Sequence, residues 1–205
     1  MITRLGARRS ETVQLLTSIA QEVGSGVDLL GQLLGTPTGQ RQQLQNELIS
    51  LEGSALDLHF RLLTTIRSVF LTPLPREDIY ALSHQLNRTL EHVVAAGDLF
   101  ASRGRLTLPR HSADLLETLG MQSDLTISSL AHLEDIDNLE EYTLQINRLT
   151  KQAHRTYRRW VTSTDGAFQP NIAMQQEQIA TAMLEAVESL REVATIVGSI
   201  IVRES

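Results

Sequence analysis

Residues 70–82 read "FLTPLPREDIYAL". After this stretch apolar residues recur three or four apart: Ile79, Leu82, Leu86, Leu90, Val93 and Phe100, with Gly97 taking one place in the series. That spacing is one face of an α-helix. A helical pattern also precedes the stretch, and two prolines stand between. Pro73 disfavours the α conformation in the residue before it, so it stops the first helix. Pro75 suits the first position of the next helix, where a missing N–H costs nothing. Glu77 and Asp78 then fall in the first turn, at the positive end of the helix dipole. The stretch predicts helix, sharp turn, helix.

The same punctuation recurs along the chain. Breaks stand at "GTPTGQ" (35–40), "LTPLP" (71–75), "ASRGRLTLP" (101–109), "LEDIDN" (133–138) and "STDGAFQPN" (163–171). They leave six segments of roughly 25 to 30 residues, each long for a globular helix. The last carries a continuous stripe through Ile179, Met183, Ala186, Val187, Leu190, Val193, Val197 and Ile201. No segment alternates with period two. Long helices with short connections predict an all-α bundle of antiparallel helices.

Composition agrees. Of the 205 residues, 41% are hydrophobic but only 4% aromatic, so the apolar content is mostly Leu, Ala, Val and Ile. The net charge of −6 argues against a general nucleic-acid binder, which needs a basic footprint. There is no cysteine, which excludes disulfides, thiolate metal sites and cysteine nucleophiles. The longest apolar run, "VATIVGSIIV", is about half of what a membrane-spanning helix needs. The N-terminal segment lacks the apolar run of a signal peptide. A soluble, cytoplasmic protein is expected.

A repeat is visible in outline. "LEGSALDLHFRLLTTIRSVF" (51–70) aligns with "LTKQAHRTYRRWVTSTDGAF" (149–168), matching Leu51 and Ala55 to Leu149 and Ala153. Helices three and six correspond in turn, with Glu91 opposite Glu188. The expectation is one domain over 1–205, built from two similar three-helix repeats at about 8–102 and about 106–203.

Catalytic signatures are missing. The chain has no His-Glu-x-x-His motif and no phosphate-binding Gly-x-x-x-x-Gly-Lys loop. None of its six histidines has a glutamate three residues earlier, as a di-iron bundle requires. Turnover is not expected. One acidic group stands out: Glu185, Glu188 and Glu192 share a face of the last helix, opposite its apolar stripe. With oxygen donors from a second helix they suit a hard or borderline metal; without them they are a solvated face. Glu91 has Arg88 three residues before it, spaced for a local ion pair. Arg155, Arg158 and Arg159 beside Tyr157 and Trp160 suit a phosphate grip. The preferred reading is the polar face of a core helix with Trp160 buried.

The stretch "FLTPLPREDIYALSHQLNRTLEHVVAA" resembles a segment of the PhoU-like family of Pit-transporter accessory proteins. Phe70, Thr72, Pro73, Arg76, Glu77, Asp78, Ile79, Ala81 and Leu82 match it. The ending "MLEAVESLREVATIVGSIIVRES" resembles the family's acid-rich last helix and apolar, basic tail through Glu185, Glu188, Glu192, Val193, Ala194, Val202 and Arg203. Leu74-Pro75 stands where the family has Phe-Asp.

The resemblance implies two three-helix repeats. It also implies a non-enzymatic accessory or regulatory protein of inorganic phosphate transport. Its partner would be a Pit-type transporter or another membrane-associated protein, met at the inner face of the membrane, with homo-oligomers allowed and no nucleic acid. Family members hold iron or zinc on acidic motifs of the bundle surface. Carried over residue by residue, those motifs leave Glu52, Glu91, Glu185, Glu188 and Glu192 here. Ser54, Leu56, Asn87, Arg88, Thr150, Gln152 and His154 occupy other acidic positions. The resemblance then implies no multinuclear cluster and at most one weakly bound divalent metal (iron, zinc or magnesium) near Glu185 and Glu188. The alternative is a helical scaffold or oligomerisation module with neither a metal nor a phosphate role.

Overall fold

A computed structural model describes residues 2–68, 72, 74–104, 106–133, 136–164 and 170–204. Among them there are six α-helices and no strand: α1 Ile2–Gly35, α2 Arg41–Ser68, α3 Arg76–Ala101, α4 His111–Ala131, α5 Ile136–Thr164 and α6 Pro170–Glu204. A 3-10 turn, Thr38–Gln40, lies between α1 and α2. The all-α bundle is as the periodicity predicts. The lengths differ from a uniform 25 to 30, with 21 residues in α4 and 35 in α6. Phe70 and Pro73 of the opening stretch lie outside the described residues.

One detail of that stretch is corrected. Pro75 is the N-cap of α3, with φ −51° and ψ 137°, and not its first helical residue. Its carbonyl accepts the N–H groups of Asp78 (3.0 Å) and Ile79 (3.1 Å), which opens the helix without a side-chain cap. Glu77 and Asp78 are in the first turn as expected.

Helices consecutive in the chain within each set of three run antiparallel. Glu22 meets Ser54 across α1 and α2, while Gln45 meets Asp98 and His59 meets Ser83 across α2 and α3. Thr118, Gln122 and Thr126 of α4 meet Gln152, Thr150 and Tyr142 of α5. Packing follows one pattern twice. Each of α1, α2 and α3 packs on the other two, and so do α4, α5 and α6; α1 against α4 and α3 against α6 join the two sets. Helices α2 and α5 are therefore on the outside. Leu16, Ile19, Leu48, Leu86, Leu90, Val187, Leu190 and Val193 belong to the continuous buried core. Trp160 is fully buried, with Arg155, Arg158 and Arg159 of the same helix exposed, which matches the core-helix reading of that segment.

Two connections are bound to what they cross. Arg41, nearly buried, donates from Nη1 to the carbonyls of Phe100, Arg103 and Gly104 and from Nε to that of Thr36. Its guanidinium lies 3.8 Å over the Phe100 ring. Thr38 Oγ1 donates to the Gly104 carbonyl at 2.9 Å. The other tie is at the far end of the bundle, where Arg203 near the end of α6 donates to the buried carboxylate of Asp78 at 2.5 Å. Asp78 thus joins α3 to α6. No helix among the described residues is long and apolar enough to cross a membrane.

Candidate functional site

The acids singled out by the sequence come from three helices. Glu52 is half-buried on α2 beside α3. Its pKa lies above the ordinary carboxylate value, first because burial desolvates the charge and then because Glu91 and Asp98 add like charge. Glu52 and Glu91 are thus brought within electrostatic reach of each other. Gln45 Nε2 donates to Asp98 at 2.9 Å on the same seam. The expected Arg88–Glu91 pair does not form among the described residues. Glu91 is on the same seam as Glu52, and proximity along one helix does not by itself close an ion pair.

The acids of α6 are not all turned to solvent. This helix packs against α3, α4 and α5, so positions off its apolar stripe still meet neighbours. Glu185 is exposed but reaches His92 of α3, Oε2 to Nδ1 at 3.3 Å. Glu188 is half-buried and pairs through Oε1 with His154 Nε2 of α5. Its Oε2 accepts from Arg191 Nη1 at 3.0 Å. Glu192 is exposed, and no hydrogen bond or ion pair among the described residues engages it. The histidines, which show no ligand spacing along the sequence, are what the fold adds to this site. His92 and His154 lie 62 positions apart in the chain, one on α3 and the other on α5, and each meets an acid of α6.

The donor set matches each of two carboxylates, Glu185 and Glu188, with one imidazole. A carboxylate facing an imidazole forms a charge-assisted hydrogen bond when the ring is protonated. No three His, Asp or Glu side chains among the described residues converge as a metal cage would need. Two other positions that the resemblance links to acids are built into packing. Thr150 is buried and accepts from Gln122 Nε2 at 2.9 Å, and Asn87 is buried and donates to the Ser83 carbonyl at 2.9 Å. Leu56 is exposed on α2.

A second group lies on the outer side of α2 and α3. His59 is nearly buried, its Nδ1 2.9 Å from Ser83 Oγ. Ser83 in turn donates to the Tyr80 carbonyl, which leaves its oxygen to accept from His59 Nδ1–H. Burial, and then the neighbouring His84, hold the His59 pKa below the ordinary imidazole value. Tyr80 stacks on His84 with ring centroids 5.9 Å apart.

No protein-family model matches the chain. No curated protein matches it either. Among solved structures it is similar to a PhoU-like protein from Shewanella oneidensis MR-1, with a TM-score of 0.77 at 15% identity over 93% of this chain and 99% of that one. At that identity the likeness is one of architecture, and the six-helix bundle described above is a PhoU-like fold.

Proposed function

We propose that the protein is a non-catalytic accessory or regulatory factor of inorganic phosphate transport that acts by binding a Pit-type transporter or an associated membrane protein. The observation that carries this reading is the PhoU-like architecture shared over nearly the whole of both chains. The string Arg76-Glu77-Asp78-Ile79 at the start of α3 supports it. In this reading the outer helix faces form the docking surface, and the two histidine–glutamate pairs hold α6 against α3 and α5. The site acids take at most one divalent ion (iron, zinc or magnesium) at Glu185 and Glu188, in competition with His154 and Arg191 for the same oxygens. Elemental analysis of purified protein, beside Glu185→Gln/Glu188→Gln, tests the ion. Equal metal content in both, with helix content unchanged, removes it from the proposal.

The function is tested by co-purification with a detergent-solubilised Pit-type transporter and by phosphate uptake in cells lacking the protein. Retention of the transporter and an altered uptake rate are expected. A transporter that is not retained, together with an unchanged uptake rate, would sink the proposal in favour of the helical scaffold.

A further inference from the structure

We propose that the groove between α1 and α4 is a binding site for an aliphatic diamine, with one ammonium group held by Asp28 and the other by Asp124. The groove, ≈ 260 Å³ in volume, lies on the seam between the two three-helix sets. Asp28 and Gln21 of α1 line it with Asp124 and Ser123 of α4, and no lysine, arginine or histidine does. Both carboxylates are exposed, and no hydrogen bond or ion pair among the described residues engages either.

Two exposed acids alone are a solvated surface, and Ser123 is what makes them a site. It is only 2% exposed, yet its Oγ has no hydrogen-bond partner. Thr118 and Thr126 of the same helix satisfy their hydroxyls on carbonyls four residues back. Ser123 turns toward α1 instead: a Cβ on Gly24 would sit 3.4 Å from its Oγ. A buried hydroxyl without a partner costs stability, and this one lines the groove.

The seam sets the spacing of the charges. Gly24 stands against Ser123 and Ile127, and Gly31 against Leu116, so α1 and α4 run antiparallel. On that register Asp28 is level with Gly120 and Asp124 with Gly24. The two acids are then one turn apart along the seam, about 6 Å. Each faces a glycine, which leaves an open floor between them, and a Cβ on Gly120 would meet nothing within 4 Å. In a four-carbon diamine the bonds between the two nitrogens span roughly 6 Å when staggered. Its ammonium groups reach both carboxylates together, and its methylenes lie over the glycines. An N–H donates to Ser123 Oγ, and Gln21 adds an amide oxygen at the Asp124 end. A bare metal ion uses neither the floor nor the spacing, and no three His, Asp or Glu among the described residues close a shell around one.

This site is independent of the phosphate-transport reading. Exposed ion pairs are weak, so the affinity expected is roughly millimolar at low salt. Two-dimensional amide NMR of the labelled protein, titrated with putrescine, should show saturable shifts at the Gly24 and Gly120 amides. Butylamine, with one ammonium, should bind at least ~10-fold more weakly. Asp28→Asn/Asp124→Asn should raise the putrescine midpoint at least ~10-fold at unchanged helix content, since both acids are exposed and unpaired. Ser123→Ala should raise the midpoint ~3-fold and, without putrescine, raise the unfolding temperature, because the orphaned hydroxyl is gone. Glu185→Gln/Glu188→Gln removes as much charge elsewhere and should leave the midpoint where it is. Absent or unsaturable shifts overturn the proposal. So do a butylamine midpoint equal to that of putrescine, an unchanged midpoint in Asp28→Asn/Asp124→Asn or in Ser123→Ala, and a midpoint that moves with Glu185→Gln/Glu188→Gln instead. Magnesium chloride that gives the same shifts where putrescine gives none overturns it in favour of a metal.

Discussion

Arg41 begins α2, the positive end of its own helix dipole, where a cation is normally unfavourable. Its side chain resolves the conflict by reaching the other way, onto carbonyls at the end of α3 and in the turn that follows. There the negative end of a second dipole and the face of Phe100 both favour it. Among the described residues no carboxylate takes part. Hydrogen bonds from a charged donor contribute about 1.5–3 kcal/mol, so Arg41→Ala should destabilise the protein by about 3 kcal/mol. Arg41→Lys keeps the charge but lacks the planar fork, and should recover no more than about half of that. Urea unfolding measures both. A loss below about 1 kcal/mol for Arg41→Ala would show that the carbonyls find water as readily as the guanidinium.

Among whole helices, the close approach of α1, α2 and α3 depends on glycine. A Cβ on Gly97 would sit 2.6 Å from Leu48 Cδ2 and 3.2 Å from Leu33 Cδ2, and both leucines are fully buried. Gly97→Ala therefore gains about 1 kcal/mol of helix propensity but meets an overpacking cost of about 1–3 kcal/mol. A net loss near 1 kcal/mol is expected. Gly120 in α4 has nothing within 4 Å, so Gly120→Ala should gain up to about 1 kcal/mol. Thermal unfolding of the pair gives opposite signs, and equal signs would contradict the packing account. These glycines show what kind of information the sequence carries. Gly97 falls in the apolar series of α3, so its core position was readable, but the need for no side chain comes from Leu48 on another helix. Proline and the acids after it marked the start of α3 to within one residue, since turn chemistry is local. The pairing of His154 with Glu188 was not readable, because it depends on how α5 lies along α6. Glu188 itself was, because spacings of three and four set it with Glu185 and Glu192. The α4–α5 seam, with Gln122 on Thr150 and Thr126 against the buried Tyr142, likewise appears only when the helices are packed.

At the scale of the molecule, α3 packs on α1, α2 and α6, so what titrates on its seams acts on the stability of the whole bundle. Two groups on the α2–α3 seam act with opposite signs. His59 has a folded pKa below its ordinary 6.5, so the folded state resists taking up its proton. Its contribution to stability is intact above about pH 6.5 and is lost as pH falls below that value. Glu52 has a folded pKa above its ordinary 4.5, so the folded state resists losing its proton. Its cost is absent below about pH 4.5 and grows as pH rises through the folded pKa. Glu52→Gln should therefore stabilise the protein at pH 7 and make no difference at pH 3.5. The comparison of wild type with His59→Gln isolates the other group, since a shared dependence on the remaining histidines cancels. The glutamine amide can still donate to Ser83 but takes up no proton. Between pH 7 and 5 the wild type should lose more stability than His59→Gln, and the two curves should run parallel above pH 7. Parallel curves across the acid range would mean that His59 is as free to protonate in the folded bundle as in the unfolded chain.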